Sequence, residues 1–392
     1  MRKNTSKKSG ANFNFLNYFS LFFGVNMIFK SKVKLNTLMN YFFIACNICL
    51  VLLANSLDLY SPYSSLCMRK SVPLAIAELI QILGLIASAS IYFQVLFRKK
   101  SVSSAVRRLR YSDTLFLKLN IRFSYNKLNV MMRLSVVFTI ILNLVVFAIL
   151  CYHYGLTNVD VIALRLITNF HPIVIVYLTT LLDTYLCWLV RIKLHALELL
   201  LSELSEFKDT YRAECNWKVK LVQENTKIFF TDLIKISEIY EVLYEIIGDL
   251  NAVFGLSCLS SIALESISLT CHVFLLFKAA TGLTNEGTKM EVVAQVLWIL
   301  IYLVPLMLLI FVYYSTVLQA NAVSMALNET VAGKRIDNPS MQLEMDLISL
   351  QLLHQRPYFT ACGFFNIDMT LAYAIIGAVT TYLVILLQFN SQ

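Results

Sequence analysis

The sequence is poor in charge. Only 15% of its 392 residues are Asp, Glu, Lys or Arg, and 58% are hydrophobic. In soluble domains about 25% of residues are charged and about 45–50% are apolar. The apolar residues gather in runs of about 20 residues, a length that crosses a bilayer as a helix. These runs exclude an ordinary soluble protein. They predict an all-α polytopic membrane protein with seven transmembrane helices, near residues 37–57, 72–97, 134–154, 166–188, 250–276, 292–318 and 367–389.

Lys and Arg are absent from all seven runs. Of the 33 basic residues, 28 lie before the first run or in the second, fourth and sixth connections, and 5 lie in the other connections. Cytosolic segments of membrane proteins are enriched in basic residues, so this pattern predicts a cytosolic N-terminus and an extracellular C-terminus. The net charge of +9 is therefore interpreted as a signal of topology and not of nucleic-acid binding.

Enzyme motifs are also lacking. The sequence contains no G-x-S-x-G, no H-E-x-x-H and no glycine-rich phosphate loop, and its five His are scattered. We therefore expect no catalytic residue, no metal site and no cofactor. The nine Cys show no disulfide framework. Cys67 and Cys151 can both be extracellular, and whether they are bridged stays open.

Two of the connections have the pattern of helices. Leu194, Leu197 and Leu201 repeat at helical spacing after the fourth run, and Leu233 and Ile236 begin a similar stripe before the fifth. Both runs are thus predicted to continue as helices into the cytosol, where they form an anchor. The outer connections are short, so an extracellular ligand is expected to bind among the helices themselves.

The last connection predicts a separate amphipathic helix. Asn338-Pro339 is a favourable helix start, and Arg356-Pro357 ends the helix because proline cannot continue it. The chain is therefore divided into a cytosolic N-terminal segment, transmembrane helices 1–4, the anchor, transmembrane helices 5–6, the cytosolic loop with its amphipathic helix, and the last spanning helix. The respective ranges are 1–36, 37–188, 189–249, 250–318, 319–358 and 359–392.

Four acids lie at membrane depth with no basic partner in any run: Glu78, Asp183, Glu265 and Asp368. A charged group at mid-membrane costs about 2.5–3.5 kcal/mol on insertion scales, so each must face a cavity, pair with polar groups or carry a proton. Glu265 and Glu78 are candidates for a ligand cavity. Asp183 is expected to be a pairing or capping group, and Asp368 to complement the N-terminus of the last helix.

Aromatic residues in the outer half of the bundle suggest a pocket for a small organic ligand. Trp298 and Tyr302 are four residues apart on one helical face, and His272 lies at a similar depth. Rings with a few polar groups suit such a ligand, although core packing explains the same spacing. The candidate ligand-binding residues are Trp298, Tyr302, Glu265, His272, Glu78, His171 and Tyr177.

The last run has an unusual polar face for a membrane helix. Gly377, Thr381, Ile385 and Gln388 fall on one stripe, and Tyr382, Leu386 and Phe389 fall on the neighbouring stripe. This division fits a helix that lines a narrow pore. It fits tight helix packing around Gly377 equally well, and spacing alone does not separate the two.

The C-terminal residues resemble a known family signature. Residues 351–368, QLLHQRPYFTACGFFNID, are followed by IIGAVTTY at 375–382 and by the pair Gln388-Phe389. The core Thr-Tyr, five hydrophobic residues, Gln-Phe is similar to the C-terminal signature of insect gustatory receptors. The resemblance covers about the last 40 residues.

This resemblance implies a non-selective cation channel gated by a small-molecule tastant, with four subunits that are identical or include other gustatory receptor subunits. It places the protein in the plasma membrane of sensory neurons, among lipid. The last helices would line the pore for permeating cations, with Gln388 and Phe389 at the gate and Gly377, Thr381, Tyr382 and Ile385 along it. The chain length favours a bitter or other aversive tastant.

Three alternatives remain at this point. An odorant receptor of the same fold is disfavoured by the full Gln-Phe signature. A G-protein-coupled receptor requires the opposite orientation, and the expected Asp-Arg-Tyr and Asn-Pro-x-x-Tyr motifs are missing. A transporter would show paired intramembrane charges and repeat symmetry, which the sequence lacks.

Overall fold

The computed structural model of the protein describes Cys49 and residues 72–153, 171–214, 219–281, 289–332 and 339–390. The predicted N-terminal segment 1–36 lies outside the described residues, as does the first predicted span 37–57 apart from Cys49. Cys67 also lies outside them, so whether it is bridged to Cys151 stays open.

The described ranges from residue 72 onward fold into seven helices. They are α1 Val72–Lys118, α2 Asn126–His153, α3 His171–Glu214, α4 Val219–Ala280, α5 Lys289–Ala332, α6 Pro339–His354 and α7 Met369–Asn390. All except α6 are long and apolar enough to cross a membrane. These six correspond to the second to seventh predicted spans.

Several helices are much longer than a bilayer requires. Helix α4 has 62 residues, which at 1.5 Å per residue is about 93 Å. The predicted leucine stripe of α3 is buried, with Leu194, Leu197 and Leu201 at most 2% exposed, and Leu233 and Ile236 of α4 are buried likewise. Apolar runs therefore continue into amphipathic helices that pack against one another.

Helix α1 corrects one part of the sequence interpretation. The basic stretch after residue 97 was expected to be a connection, but α1 continues through it to Lys118. The reason is a second apolar stripe, in which Val102, Ala105 and Leu109 are buried against the other helices. Arg98, Arg107 and Arg110 are exposed on the remaining faces of the same helix.

Helix α3 is the centre of the bundle. It packs against α1, α4 and α5, while α1 runs along α4 and α5 contacts both α3 and α4. One continuous cluster of buried apolar side chains joins these helices. Helices α2 and α7 lie at the edge, with many large apolar side chains exposed.

A buried lysine joins the extended part of α3 to α1. Lys193 is fully buried, and its Nζ donates to the Leu109 carbonyl at 2.5 Å, to Ser112 Oγ at 2.8 Å and to Asp113 at 2.8 Å. The Tyr125 hydroxyl donates to the same Asp113 carboxylate at 2.7 Å. Burial and the Asp113 charge raise the pKa of Tyr125.

The chain between α6 and α7 forms a small hairpin over residues 359–367. Thr360 and Asn366 pair as an antiparallel bridge, and Cys362 and Gly363 have positive φ angles of 55° and 82°, which the tight turn requires. Because α6 ends before Pro357, the predicted break between the two helices is confirmed. The hairpin sets the starting point of α7.

Candidate functional site

Three aromatic rings stack where α4 meets α5. The ring of His272 lies 5.4 Å from that of Trp298 and 5.6 Å from that of Tyr302, and Trp298 and Tyr302 are 5.9 Å apart. The rings are within 10–19° of parallel. His272 Nδ1 and Gln295 Oε1 are 2.8 Å apart, with the ring N–H donating. We call these four residues the aromatic stack.

Glu265 lies beside this stack on α4. Its side chain is 2% exposed, and its Oε2 has no hydrogen-bond partner among the described residues. It interacts electrostatically with the Tyr302 hydroxyl. The structure thus brings four of the predicted ligand-binding residues together, and it gives them one carboxylate oxygen that a ligand donor can satisfy.

Two further candidates, Tyr177 and His171, lie on α3. The Tyr177 hydroxyl of α3 lies 2.8 Å from Ser135 Oγ of α2, where it links two helices. His171 begins α3, and nearby Ile173 packs in a small cluster with Tyr302. The side chain of Glu78 lies outside the described residues. The described candidates are therefore four residues at the α4–α5 stack and two residues on α3.

A second buried polar cluster, which sequence reasoning missed, lies further along the same helices. Asp183 of α3 is 1% exposed. Its Oδ2 accepts hydrogen bonds from the Tyr313 hydroxyl of α5 and, at 3.3 Å, from the Cys258 thiol of α4. Asp183 is thus a pairing group, as expected, but its partners come from helices far away in sequence. No local pattern identifies them.

This cluster contacts the hairpin that precedes α7. The ring of Tyr313 stacks on Phe359 at 4.1 Å, and Phe359 is 1% exposed. On α4, Asn251 Oδ1 accepts the Thr360 N–H at 2.8 Å. A Cβ at Gly255 would lie 3.1 Å from the Cys362 backbone nitrogen, so glycine allows the hairpin to sit directly on α4.

Helix α7 is held at both ends by α4. At its start, Asp368 Oδ1 accepts the N–H of Thr370 at 2.8 Å and of Leu371 at 3.4 Å, which is the predicted complement to the helix N-terminus. Near its end it packs against a cluster formed by Cys271 and Phe274 of α4 and Ile76 of α1. The α7 residues in that contact are Leu383, Leu386 and Leu387.

The polar stripe of α7 lies on the exposed side of the helix. Gly377, Thr381, Ile385 and Gln388 are all exposed, and in the described part of the chain nothing lies within 4 Å of a Cβ placed on Gly377. The neighbouring stripe is divided, since Tyr382 is 60% exposed but Leu386 is packed. Residue 389 belongs to α7, and its side chain lies outside the description.

A bundle of long apolar helices with buried polar clusters and an exposed last helix defines an all-α polytopic membrane protein. The chain belongs to the 7tm chemosensory receptor family, whose model matches residues 13–392. This is a family of receptors and not of enzymes. The resemblance that the C-terminal residues show is confirmed.

Similar proteins include gustatory receptors of Drosophila melanogaster. The chain is 29% identical over 175 residues to gustatory receptor 2a, an alignment that covers 40% of this chain and 41% of that relative. It is 51% identical over 43 residues to the gustatory receptor for bitter taste 66a, covering 11% and 8%. The matched regions thus span less than half of these relatives.

Two solved structures are similar over nearly the whole chain. The olfactory receptor OR5 from Machilis hrabei in complex with eugenol has a TM-score of 0.68 at 11% identity, covering 97% of this chain and 99% of that one. The same receptor, in a structure described without a ligand, has a TM-score of 0.64 at 12% identity, covering 98% of each chain. The predicted insect chemoreceptor fold is confirmed.

Proposed function

We propose that this chain is a subunit of a tetrameric, tastant-gated, non-selective cation channel in the plasma membrane of sensory neurons. One observation carries the proposal: the polar stripe of α7 is exposed after the chain has folded. An exposed polar face on a membrane helix is typical of a surface that meets water or a partner chain. A central pore lined by α7 from each of four subunits supplies both.

Helix α6 supports assembly. Met345 and Leu352 on one face are buried, while another face exposes a leucine stripe, Leu343, Leu347, Leu350 and Leu353, at 54–61%. An exposed stripe of this kind marks an interaction surface. A neighbouring subunit, either a second copy or another gustatory receptor, is the occupant that fits a symmetric channel.

Helix α4 connects the proposed ligand site to the proposed gate. His272 of the aromatic stack is adjacent in sequence to Cys271, which belongs to the cluster that contacts Leu383, Leu386 and Leu387 of α7. A ligand that enters between the rings and bonds to Glu265 changes the packing of α4 at the height of Gln388. Ligand binding can therefore act on the gate through one helix.

A bitter or otherwise aversive tastant is the ligand class we favour. The support is the 51% identity over 43 residues with a Drosophila receptor for bitter taste. The similarity to an olfactory receptor bound to eugenol favours the second candidate, an odorant receptor of the same fold. Recordings from cells that express this chain, alone and with other gustatory subunits, against bitter and volatile panels separate the two.

The gate is tested at the end of α7. Four Phe389 rings at a constriction would exclude water, and four Gln388 amides would offer polar contacts to ions. We expect Phe389→Ala to give current without ligand, and Gln388→Ala to change conductance or ion preference more than ligand sensitivity. Phe389→Ala channels that reach the surface but stay closed until ligand arrives would contradict this gate.

The ligand site and the orientation need separate tests. Trp298→Ala should shift the dose–response curve, whereas Trp188→Ala, on α3 and outside the stack, should leave it in place at equal surface expression.

For orientation, a cysteine at Asn390 should react with an impermeant thiol reagent on intact cells, above the background of the unmodified chain. Labelling that requires permeabilised cells would favour the coupled-receptor topology.

A further inference from the structure

The two carboxylate oxygens of Asp183 have unequal environments. Oδ2 accepts from Tyr313 and Cys258, but Oδ1 is buried and has no hydrogen-bond partner among the described residues. A proton on Oδ1 would remove the charge, but the resulting O–H would then need an acceptor of its own. A buried polar atom of this kind requires an explanation.

Asp183 lines a narrow gap between α3, α4 and α5. Besides Asp183 and Cys258, the polar side chains that line the gap are Thr179, Thr180, Ser257 and Ser261. The hydroxyls of Thr179, Thr180 and Ser257 donate to backbone carbonyls of their own helices at 2.9, 3.0 and 2.9 Å. Their protons are thus engaged, and their lone pairs remain available beside the carboxylate.

This oxygen set matches a hard monovalent cation. Hydroxyl and carboxylate oxygens are the ligands that hard cations prefer. The gap has no room for a water-sized sphere. This disfavours K⁺, which is about as large as water, and leaves the smaller Na⁺ as the candidate ion. Among the described residues no three His, Cys, Asp or Glu come together to hold a metal ion, which disfavours transition metals, and one carboxylate is few for a divalent ion.

We propose that Asp183, together with the hydroxyls of Thr179, Thr180 and Ser257, binds a Na⁺ ion in the core of the bundle. The ion balances the charge of Asp183 and satisfies Oδ1. It also keeps the carboxylate ionised, which strengthens the Tyr313 hydrogen bond. Since Tyr313 stacks on Phe359, the occupied site stabilises the contact between α5 and the hairpin that leads into α7.

The test is the thermal unfolding of the purified chain in lipid nanodiscs, without ligand, in NaCl, KCl or choline chloride at equal ionic strength. An ion that binds only the folded state raises Tm with its concentration. We expect Na⁺ to raise Tm in a concentration-dependent manner, K⁺ to have a much smaller effect and choline to have none. This readout does not depend on channel activity, so it stands or falls separately from the proposed function.

Substitutions locate the ion. Asp183→Asn should abolish the Na⁺-dependent rise, and Thr180→Val should increase the Na⁺ concentration for half of the rise by about tenfold, which corresponds to the loss of one ligand. The matched control is Asp249→Asn, the same change at a carboxylate that pairs with Arg108; it should retain the full rise. Equal Tm in all three salts, or a Na⁺-dependent rise that survives in Asp183→Asn, overturns the proposal.

Discussion

Helices α3 and α7 are both apolar enough to cross a membrane, with nearly the same mean hydropathy over their spans. Yet the chain buries 89% of the apolar window in His171–Glu203 and only 11% of that in Met369–Gln388. Helix α3 is surrounded by helices of its own chain. Helix α7 touches mainly α4 and leaves its other faces for lipid, water or neighbouring subunits.

The difference shows that mean hydropathy indicates only that a helix avoids water. It does not indicate whether the helix packs against protein or against lipid. The placement of polar groups is more informative. On α3, Asp183 and Lys193 reach partners on other helices. On α7, the hydroxyls of Thr380 and Thr381 donate to carbonyls of their own helix at 2.8 and 2.9 Å, so α7 needs no partner for them.

The largest expected effect is at Lys193. Lys193→Ala removes a buried ammonium with three bonds and leaves Asp113 without its cation, so the free energy of unfolding should fall by about 3 kcal/mol. Unfolding of the purified protein by denaturant measures the loss. The control Lys235→Ala breaks an ion pair whose side chains are 38% and 33% exposed and should cost less than about 1 kcal/mol.

Equal losses for these two lysine variants would mean that the α3 extension is hydrated, and the contrast between α3 and α7 would then be smaller than the structure indicates.

An intermediate effect is expected at Tyr313. Tyr313→Phe keeps the ring on Phe359 but removes the hydrogen bond to buried Asp183, which should reduce stability by about 1–3 kcal/mol. The matched variant Tyr111→Phe removes a hydroxyl that bonds to Glu238 at 3.2 Å from an exposed ring. Thermal unfolding should show almost no change for it. Identical behaviour of the two variants would argue that Asp183 does not depend on Tyr313.

The smallest change in stability is expected on α7. Thr381→Val should alter the free energy of unfolding by less than about 0.5 kcal/mol, since the side chain is exposed and bonds only to its own helix. Single-channel conductance should fall, because an apolar ring replaces a polar one along the proposed pore. A large loss of stability with unchanged conductance would instead indicate that Thr381 packs against another subunit.

The sequence predicts the apolar spans, the helix break near Pro357 and the cap at Asp368 because each depends on neighbouring residues. The continuation of α1 was missed because the basic residues concealed a second stripe at Val102, Ala105 and Leu109. Trp298 and Tyr302 lie on one helix, so their proximity could be predicted. The separation of Tyr177 from them depends on the rotation of α3, which spacing within one helix does not determine.

The contact between Tyr313 and Phe359 also lies beyond sequence patterns. The two residues are 46 positions apart, and their approach depends on how α5 and the hairpin are placed relative to each other. Single-sequence reasoning predicts residues that share a face, whereas this cluster draws on α3, α4, α5 and the hairpin. The candidate site could be predicted in its aromatic part and not in its link to α7.

The two contacts of α4 with α7 restrict how the last helix can move. Asn251 and Gly255 hold its beginning through the hairpin, and the cluster around Cys271 and Phe274 supports its far end. A helix fixed at two points cannot move away from α4, but it can rotate about its own axis. Successive residues of a helix are about 100° apart, so a partial roll of α7 would exchange an aromatic ring for the amide that precedes it. At the proposed gate, opening by such a rotation would need no hinge within α7 and no change in its length.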